Sequence, residues 1–423
     1  MANTEYFEKE IANLKRRIKN IEERPDPRYM KTTKLRYELE VEHLVDMVEA
    51  MQDNKPFGEF YEIGQLQSAL GFRHGVGGDR VRDPYHYKNI AVNTFGFPEH
   101  TCDRTMMAMA LLVSGELPIP RVMTTHRTPC DPHRLSYLAA AEFLGVLLFE
   151  LVKPNSSGEA AIRCFGEQLG ELVEFCEKSV AGIKYDEDKL IEILETNHIA
   201  RGYQIETYEL RKRVPCPISP QDVFRIALSP GGHVNPAKAL EYCRLYRDEL
   251  FERAEKGITG VPDEKLRIAW TASAPFGRQT FDLLTRKGVS MPWYHFGVSP
   301  AMYGVIPATY GDDSAYGRKL TPLEEVARGG IFANVWGTTA EPWVDSLIKA
   351  CRELKIDAVV DYLMPGCITT KSLKRITSER LMEELGIPTL DLEGREFFMT
   401  EGEIFNMNKK LEEFIDMCIA NKK

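Results

Sequence analysis

The chain has 423 residues, 43% hydrophobic and 28% charged, an ordinary globular balance and enough length for two or three domains with their own cores. A formal net charge of −9 excludes a general nucleic-acid binder, which needs a basic face, and no stretch reaches the ~20 uninterrupted apolar residues of a membrane span. The first residues show no basic stretch leading into an apolar run, so no secretory signal is read; nine cysteines, an odd number, point to reduced thiols in the cytoplasm.

In chain order, Ile11, Leu14, Ile18 and Ile21 recur at helical spacing before Pro25 and Pro27, and an amphipathic helix follows from about Lys34 to Met51. These form an N-terminal helical segment, 1–54. Residues 55–156 read as a first α/β domain. It holds an apolar stretch near Phe60–Leu70, a Gly-rich loop, the segment Lys88–Phe97 and a helix at Met106–Val113. A strand at Arg121–Thr125, a helix at Pro132–Phe143 and a strand at Gly145–Val152 then give the βαβ alternation of a parallel sheet. Residues 157–262 change to long charged helices (157–181, 187–213, 219–228 and 236–257), a helical segment between two α/β units.

The α/β rhythm returns in 263–423. Strands are expected at Leu266–Thr271, Val289–Phe296, Ala358–Leu363 and Thr389–Leu392. Helices are expected at Arg278–Lys287, Pro342–Leu354, Thr370–Leu385 and Ile404–Ala420. The expected class is α/β: two Rossmann-like parallel-sheet domains, a helical segment between them, and N-terminal helices. No internal repeat stands out.

Three cysteines have turn formers or polar residues as neighbours. Cys102 lies in His100-Thr101-Cys102-Asp103, Cys130 in Thr128-Pro129-Cys130-Asp131-Pro132, and Cys367 closes Leu363-Met364-Pro365-Gly366-Cys367. Each is expected where a strand gives way to a helix, the position at which open α/β sheets bind ligands. A helix N-terminus favours the thiolate, and thiolates hold iron–sulfur clusters, usually four to a cluster. Three would leave one iron open to water or substrate. The competing reading of each cysteine is a small buried hydrophobe. No Cys-x-x-Cys run is present, which argues against a regular ferredoxin or zinc ribbon. Cys164, Cys176, Cys243, Cys351 and Cys418 fall inside expected helices among apolar neighbours, where core packing is the default, and Cys216 sits in a loop between two prolines.

His126, His133 and Glu62 are candidates by position for proton delivery, with a satisfied loop histidine as the bland alternative. The segment Gly71–Arg80 could cradle phosphate with Arg73 and Arg80, or be a surface loop; it matches neither a Walker loop nor a dinucleotide fingerprint. Trp293, Tyr294, His295, Phe296 and Tyr303 could line an acyl pocket or be strand aromatics, and Tyr310–Asp313 reads as a polar loop. The absence of a Gly-x-Ser-x-Gly elbow weighs against a hydrolase.

From Lys355 to Phe398 the chain resembles the large subunits of the 2-hydroxyacyl-CoA dehydratase and benzoyl-CoA reductase family. A strand ends at Cys367, a helix follows, and Gly386-Ile387-Pro388 turns into the acidic strand end Asp391-Leu392-Glu393. Cys130-Asp131 after a short strand and the segment following Arg267-Ile268 look similar too. The resemblance implies that Cys102, Cys130 and Cys367 bind a 4Fe-4S cluster, in a subunit paired with a homologous second subunit. It also implies a separate ATP-hydrolysing iron–sulfur activator that delivers a low-potential electron. The substrate would be a CoA thioester, its ketyl-type radical permitting loss of an unactivated hydroxyl or reduction of an aromatic ring. Arg73 and Arg80 would be candidates for the CoA. Cys130-Asp131 with Arg134-Leu135-Ser136 tilts the reading toward the benzoyl-CoA reductase branch. The alternatives are an (R)-2-hydroxyacyl-CoA dehydratase subunit or a non-catalytic, cluster-carrying partner subunit.

Overall fold

The computed structural model describes residues 4–24, 30–60, 63–74, 84–126, 130–156, 158–225, 230–272, 278–294, 309–313, 316–333 and 340–422. Two helices, α1 (Glu5–Glu23) and α2 (Thr33–Gln52), lead into β1 (Phe57–Phe60), α3 (Gly64–Ala69) and β2 (Arg73–His74). α4 (Pro84–Asn89) runs on as a π-helical turn, Ile90–Thr94, followed by α5 (Asp103–Val113), β3 (Val122–His126), α6 (Asp131–Leu144) and β4 (Leu147–Leu151). α7 (Glu159–Ser179), α8 (Glu187–Arg211) and α9 (Pro236–Glu255) make the helical middle. The second α/β half contains β5 (Leu266–Trp270), α10 (Arg278–Lys287), β6 (Val289–Tyr294), α11 (Pro322–Ala333) and α12 (Ala340–Glu353). It closes with β7 (Ala358–Leu363), α13 (Ile368–Leu385), β8 (Thr389–Glu393) and α14 (Glu401–Asn421).

The strands form two parallel four-stranded sheets with the same order, β2-β1-β3-β4 and β6-β5-β7-β8. In each, the second strand pairs on one side of the first and the third on the other. The direction of winding therefore reverses between first and third strands, and a crevice opens there at the carboxyl ends. This shared order is a structural repeat that residue identities do not reveal.

Parallel strands buried on both faces need helices over each. Alternation along β3 sends Val122 to one side, packed with Phe165 and Leu169 of α7 and Ala327 of α11. Met123 goes to the other, with Met106 of α5, Tyr137 of α6 and Phe7 and Leu44 of the N-terminal helices. In the second sheet, Ala358, Val360 and Tyr362 meet α9 and α14, while Val359 meets Trp343 and Leu347 of α12 and Leu381 of α13. The last helix begins with a capping box in which Thr400 and Glu403 satisfy each other's backbone amides. Among the described residues no helix is long and apolar enough to cross a membrane.

Several elements depart from expectation. Cys102 does not follow a strand: the chain before it is helical from 84 to 94 and then turns. β1 and β2 are too short, at four and two residues, to show a strand period. Cys164 is exposed on α7 rather than packed, while Cys216 is fully buried in the core. Trp293 and Tyr294 are buried strand aromatics of β6; His295, Phe296 and Tyr303 lie outside the described residues. Asp313, expected in a polar loop, is buried, accepting the Leu320 amide at 2.9 Å and facing Arg328 at 3.4 Å.

Candidate functional site

Cys102, Cys130 and Cys367 each occupy the residue before the first turn of a helix, α5, α6 and α13 in turn. Cys130 follows the third strand of the first sheet and Cys367 the third strand of the second, so the two hold equivalent places in the repeated topology. Cys102 is the addition, brought in by the helix that precedes β3. All three are half-buried.

The halves touch directly beside these thiols. Gly366 has φ +79°, and a Cβ on it would fall 2.6 Å from the Cys102 nitrogen and 2.6 Å from the His100 carbonyl oxygen. Only glycine allows both that backbone angle and that approach. Next along, Asp103 accepts hydrogen bonds from the backbone amides of Glu396 at 3.0 Å and Phe397 at 3.1 Å and pairs with Arg395. Arg395 also donates to the Glu99 carbonyl, and Arg104 pairs with Glu396. One carboxylate of the first half thus organises the loop after β8, and Tyr362 of β7 supports that loop from below through the Arg395 carbonyl at 2.8 Å.

Electrostatics links the thiols. Burial pushes Cys130 up to about 12, helped by the charges of Cys102, Cys367 and Asp131 and opposed by the His133 amide. Cys102 is also raised, first by burial and then by Glu396 and Cys367, with the amides of Thr105 and Arg104 acting the other way. Neither Cys102 nor Cys130 makes a side-chain cap hydrogen bond at its helix start, and for these two burial outweighs the helix amides. Binding a cationic group here would have to displace the protons. Among the described residues, no group of three or more His, Cys, Asp or Glu side chains stands in an arrangement that could hold a metal ion.

His126 ends β3, buried, with its ring edge-on to Phe165 at 6.3 Å between centroids. His133 stands one turn into α6, stacked on Tyr137 at 3.9 Å; burial lowers it to about 3, with His126 adding to the effect, so the ring is neutral at physiological pH. Both therefore flank Cys130. Arg73 does not join them. It lies on edge strand β2, two strands from β3, and faces Asp46 of α2 at 3.3 Å. Glu62 and Arg80 lie outside the described residues. Sequence reasoning passed over Asp103, Arg395 and Glu59; the signal for Glu59 was a single acid within Phe57-Gly58-Glu59-Phe60.

Residues 81–418 match the family described as 2-hydroxyglutaryl-CoA dehydratase, D-component. The chain belongs to that family. The match takes in all three cysteines and the whole second sheet, but begins after β1 and β2. No curated protein matches the sequence. The D-component family is defined by a dehydratase acting on a CoA thioester, and this member places its three half-buried thiols where two parallel sheets present their carboxyl ends.

Proposed function

We propose that this chain is the iron–sulfur component of an (R)-2-hydroxyacyl-CoA dehydratase, with Cys102, Cys130 and Cys367 as the protein ligands of a 4Fe-4S cluster. The observation that carries the reading is the meeting of these three thiols, drawn from both halves of a family member, with each at a helix start. When bound, such a cluster supplies one low-potential electron and an iron site open to the substrate oxygen. The chain's own part is to hold the thiols, keep water from the crevice by burial, and place His126 and His133 beside it.

By the family resemblance the reading includes a homologous second subunit and a separate ATP-hydrolysing activator, and no Walker-type phosphate-binding motif is present in this chain's sequence. For the CoA phosphates it retains Arg73 and Arg80, with Asp46 as the group an incoming anion would displace from Arg73. Dehydration is preferred to ring reduction because the family description names a dehydratase. The residues that tilt the sequence toward reduction have structural employment. Arg134 pairs with Glu150 at 2.5 Å, and Ser136 donates to the Pro132 carbonyl at 2.6 Å.

Anaerobic purification should give a brown protein with about four iron and four sulfide per chain, EPR-active on reduction. Cys367→Ser should lose the visible absorption; a spectrum unchanged by that substitution removes Cys367 from the ligand set. Turnover of a 2-hydroxyacyl-CoA, with the activator and ATP present, separates dehydratase from a cluster-carrying partner without its own substrate.

A further inference from the structure

Glu59 is the ionisable residue of β1 and the one position of that strand that solvent partly reaches. β1 is an inner strand, bonded to β2 and β3, and its face is covered by helices. Solvent contact at such a position requires a gap in the covering layer. The Glu59 carboxyl accepts a hydrogen bond from the Tyr137 hydroxyl at 3.0 Å. Tyr137 lies one turn along α6 from His133, which stacks on it, and His133 lies one turn from Cys130. The row Cys130, His133, Tyr137 therefore descends from the crevice to Glu59.

β3 runs alongside. Its Met123 is the register partner of Glu59, and Thr125, two residues nearer the crevice, lies on the same face. The Thr125 hydroxyl is fully buried and has no hydrogen-bond partner. Burying such a group unsatisfied is costly, so it marks a place for a water or a substrate group.

We propose that Glu59 and Tyr137 form a proton store that serves the crevice beside Cys130. The proposal rests on the dehydratase reading. Burial raises the Glu59 carboxyl above the usual range, with the Tyr137 hydrogen bond acting against it. Tyr137 is the titratable group that acts on it from α6, and β3 sets Met123 and Thr125 alongside rather than a counter-charge. Burial thus favours the protonated form of Glu59, at a position joined to α6 by the Tyr137 hydrogen bond. Dehydration of a 2-hydroxyacyl thioester takes one proton from C3 and adds one to the departing hydroxide to make water. Protonated Glu59 supplies the second through Tyr137 and water in the gap, and the carboxylate left behind takes up the first. The proton count closes, and no electron moves in either transfer.

The first test needs neither cluster nor partner. Infrared spectra of the apo protein at neutral pH should show a protonated-carboxyl band that disappears in Glu59→Gln and shifts in Tyr137→Phe. Lack of that band in the unmodified protein overturns the proposal while leaving the dehydratase reading intact. In the loaded enzyme, Glu59→Gln should keep iron content and EPR signal, lower kcat roughly 100-fold with little change in KM, and flatten the pH profile. Full activity in Glu59→Gln also overturns it. If that variant fails to fold, Tyr137→Phe with the infrared band carries the test, and an unshifted band counts against the proposal.

Discussion

The two α/β halves share a strand order yet differ in what they offer at their carboxyl ends. In each, the third strand is followed by a cysteine, a helix, a left-handed glycine (Gly145 or Gly386, both at φ +65°) and the fourth strand. The first half adds Cys102 and the hydrogen-bonded Glu59–Tyr137 pair on its α5/α6 face. The second half instead places Asp361 in its third strand, bonded to the Thr271 hydroxyl, and donates the glycine and loop that grip the first. Its edge strand β6 is buried along its whole length, whereas the matching β2 of the first sheet has two residues, both partly or fully exposed; the other edges, β4 and β8, are open in both sheets. A common topology thus supports a division of labour: one half supplies most of the reactive side chains, and the other supplies a rigid base and the closing contact.

Breaking the closing contact should have the largest effect. Gly366→Ala places a methyl group against backbone atoms of the first half at a disallowed φ, so we expect a loss of about 3 kcal/mol or more in denaturant unfolding and loss of bound iron together. Another left-handed glycine, in the first half, gives the contrast. An added Cβ on Gly145 meets nothing within 4 Å, so Gly145→Ala should cost only about 1 kcal/mol and keep its iron. Equal losses at both positions would mean that backbone strain alone, not contact between halves, governs the effect.

Asp103→Ala should come next. It leaves Arg395 and two backbone amides without their acceptor, at a cost of about 3 kcal/mol. It should also raise the reactivity of Cys102 toward thiol reagents in the apo protein; unchanged reactivity would show that the loop after β8 keeps its place unaided.

Asp361 gives a pH test confined to the second half. Burial raises its carboxyl to about 6, with Asp391 adding to the effect and the Thr271 hydrogen bond opposing it. The folded chain therefore keeps a proton that the unfolded chain releases. Stability should fall as pH rises from about 4 to about 6, by about 2–3 kcal/mol, then level off for this group. Unfolding measured across that window should lose this component in Asp361→Asn. A variant with the same pH dependence as the parent would place the effect elsewhere. The smallest effect is expected from Cys164→Ser: an exposed thiol inside α7, not at a helix start, should leave iron content and stability unchanged.

Legibility in the sequence followed length and burial. The units β3-α6-β4 and β7-α13-β8 were readable because strand-favouring stretches of five or six residues alternate with a helical period, separated by Gly- and Pro-containing turns. α10 was read at Arg278–Lys287, where the structure has it. β1, β2 and α11 were passed over: two are shorter than a strand period, and α11 is interrupted in appearance by Gly329-Gly330, tolerated because Gly330 packs close to Phe165. The position of Cys102 was right about its helix and wrong about a preceding strand. The clamp around Asp103 was invisible for another reason. Its partners lie almost three hundred residues further on, and no local spacing encodes that meeting.

The seating of Gly366 against Cys102 also sets a timetable for the polypeptide. The third thiol leaves the ribosome long after the other two, and it reaches them only once β7 has found its place between β5 and β8. A growing first half cannot close this donor set however long it waits. The three thiols therefore come together only in a chain whose two halves are folded and joined.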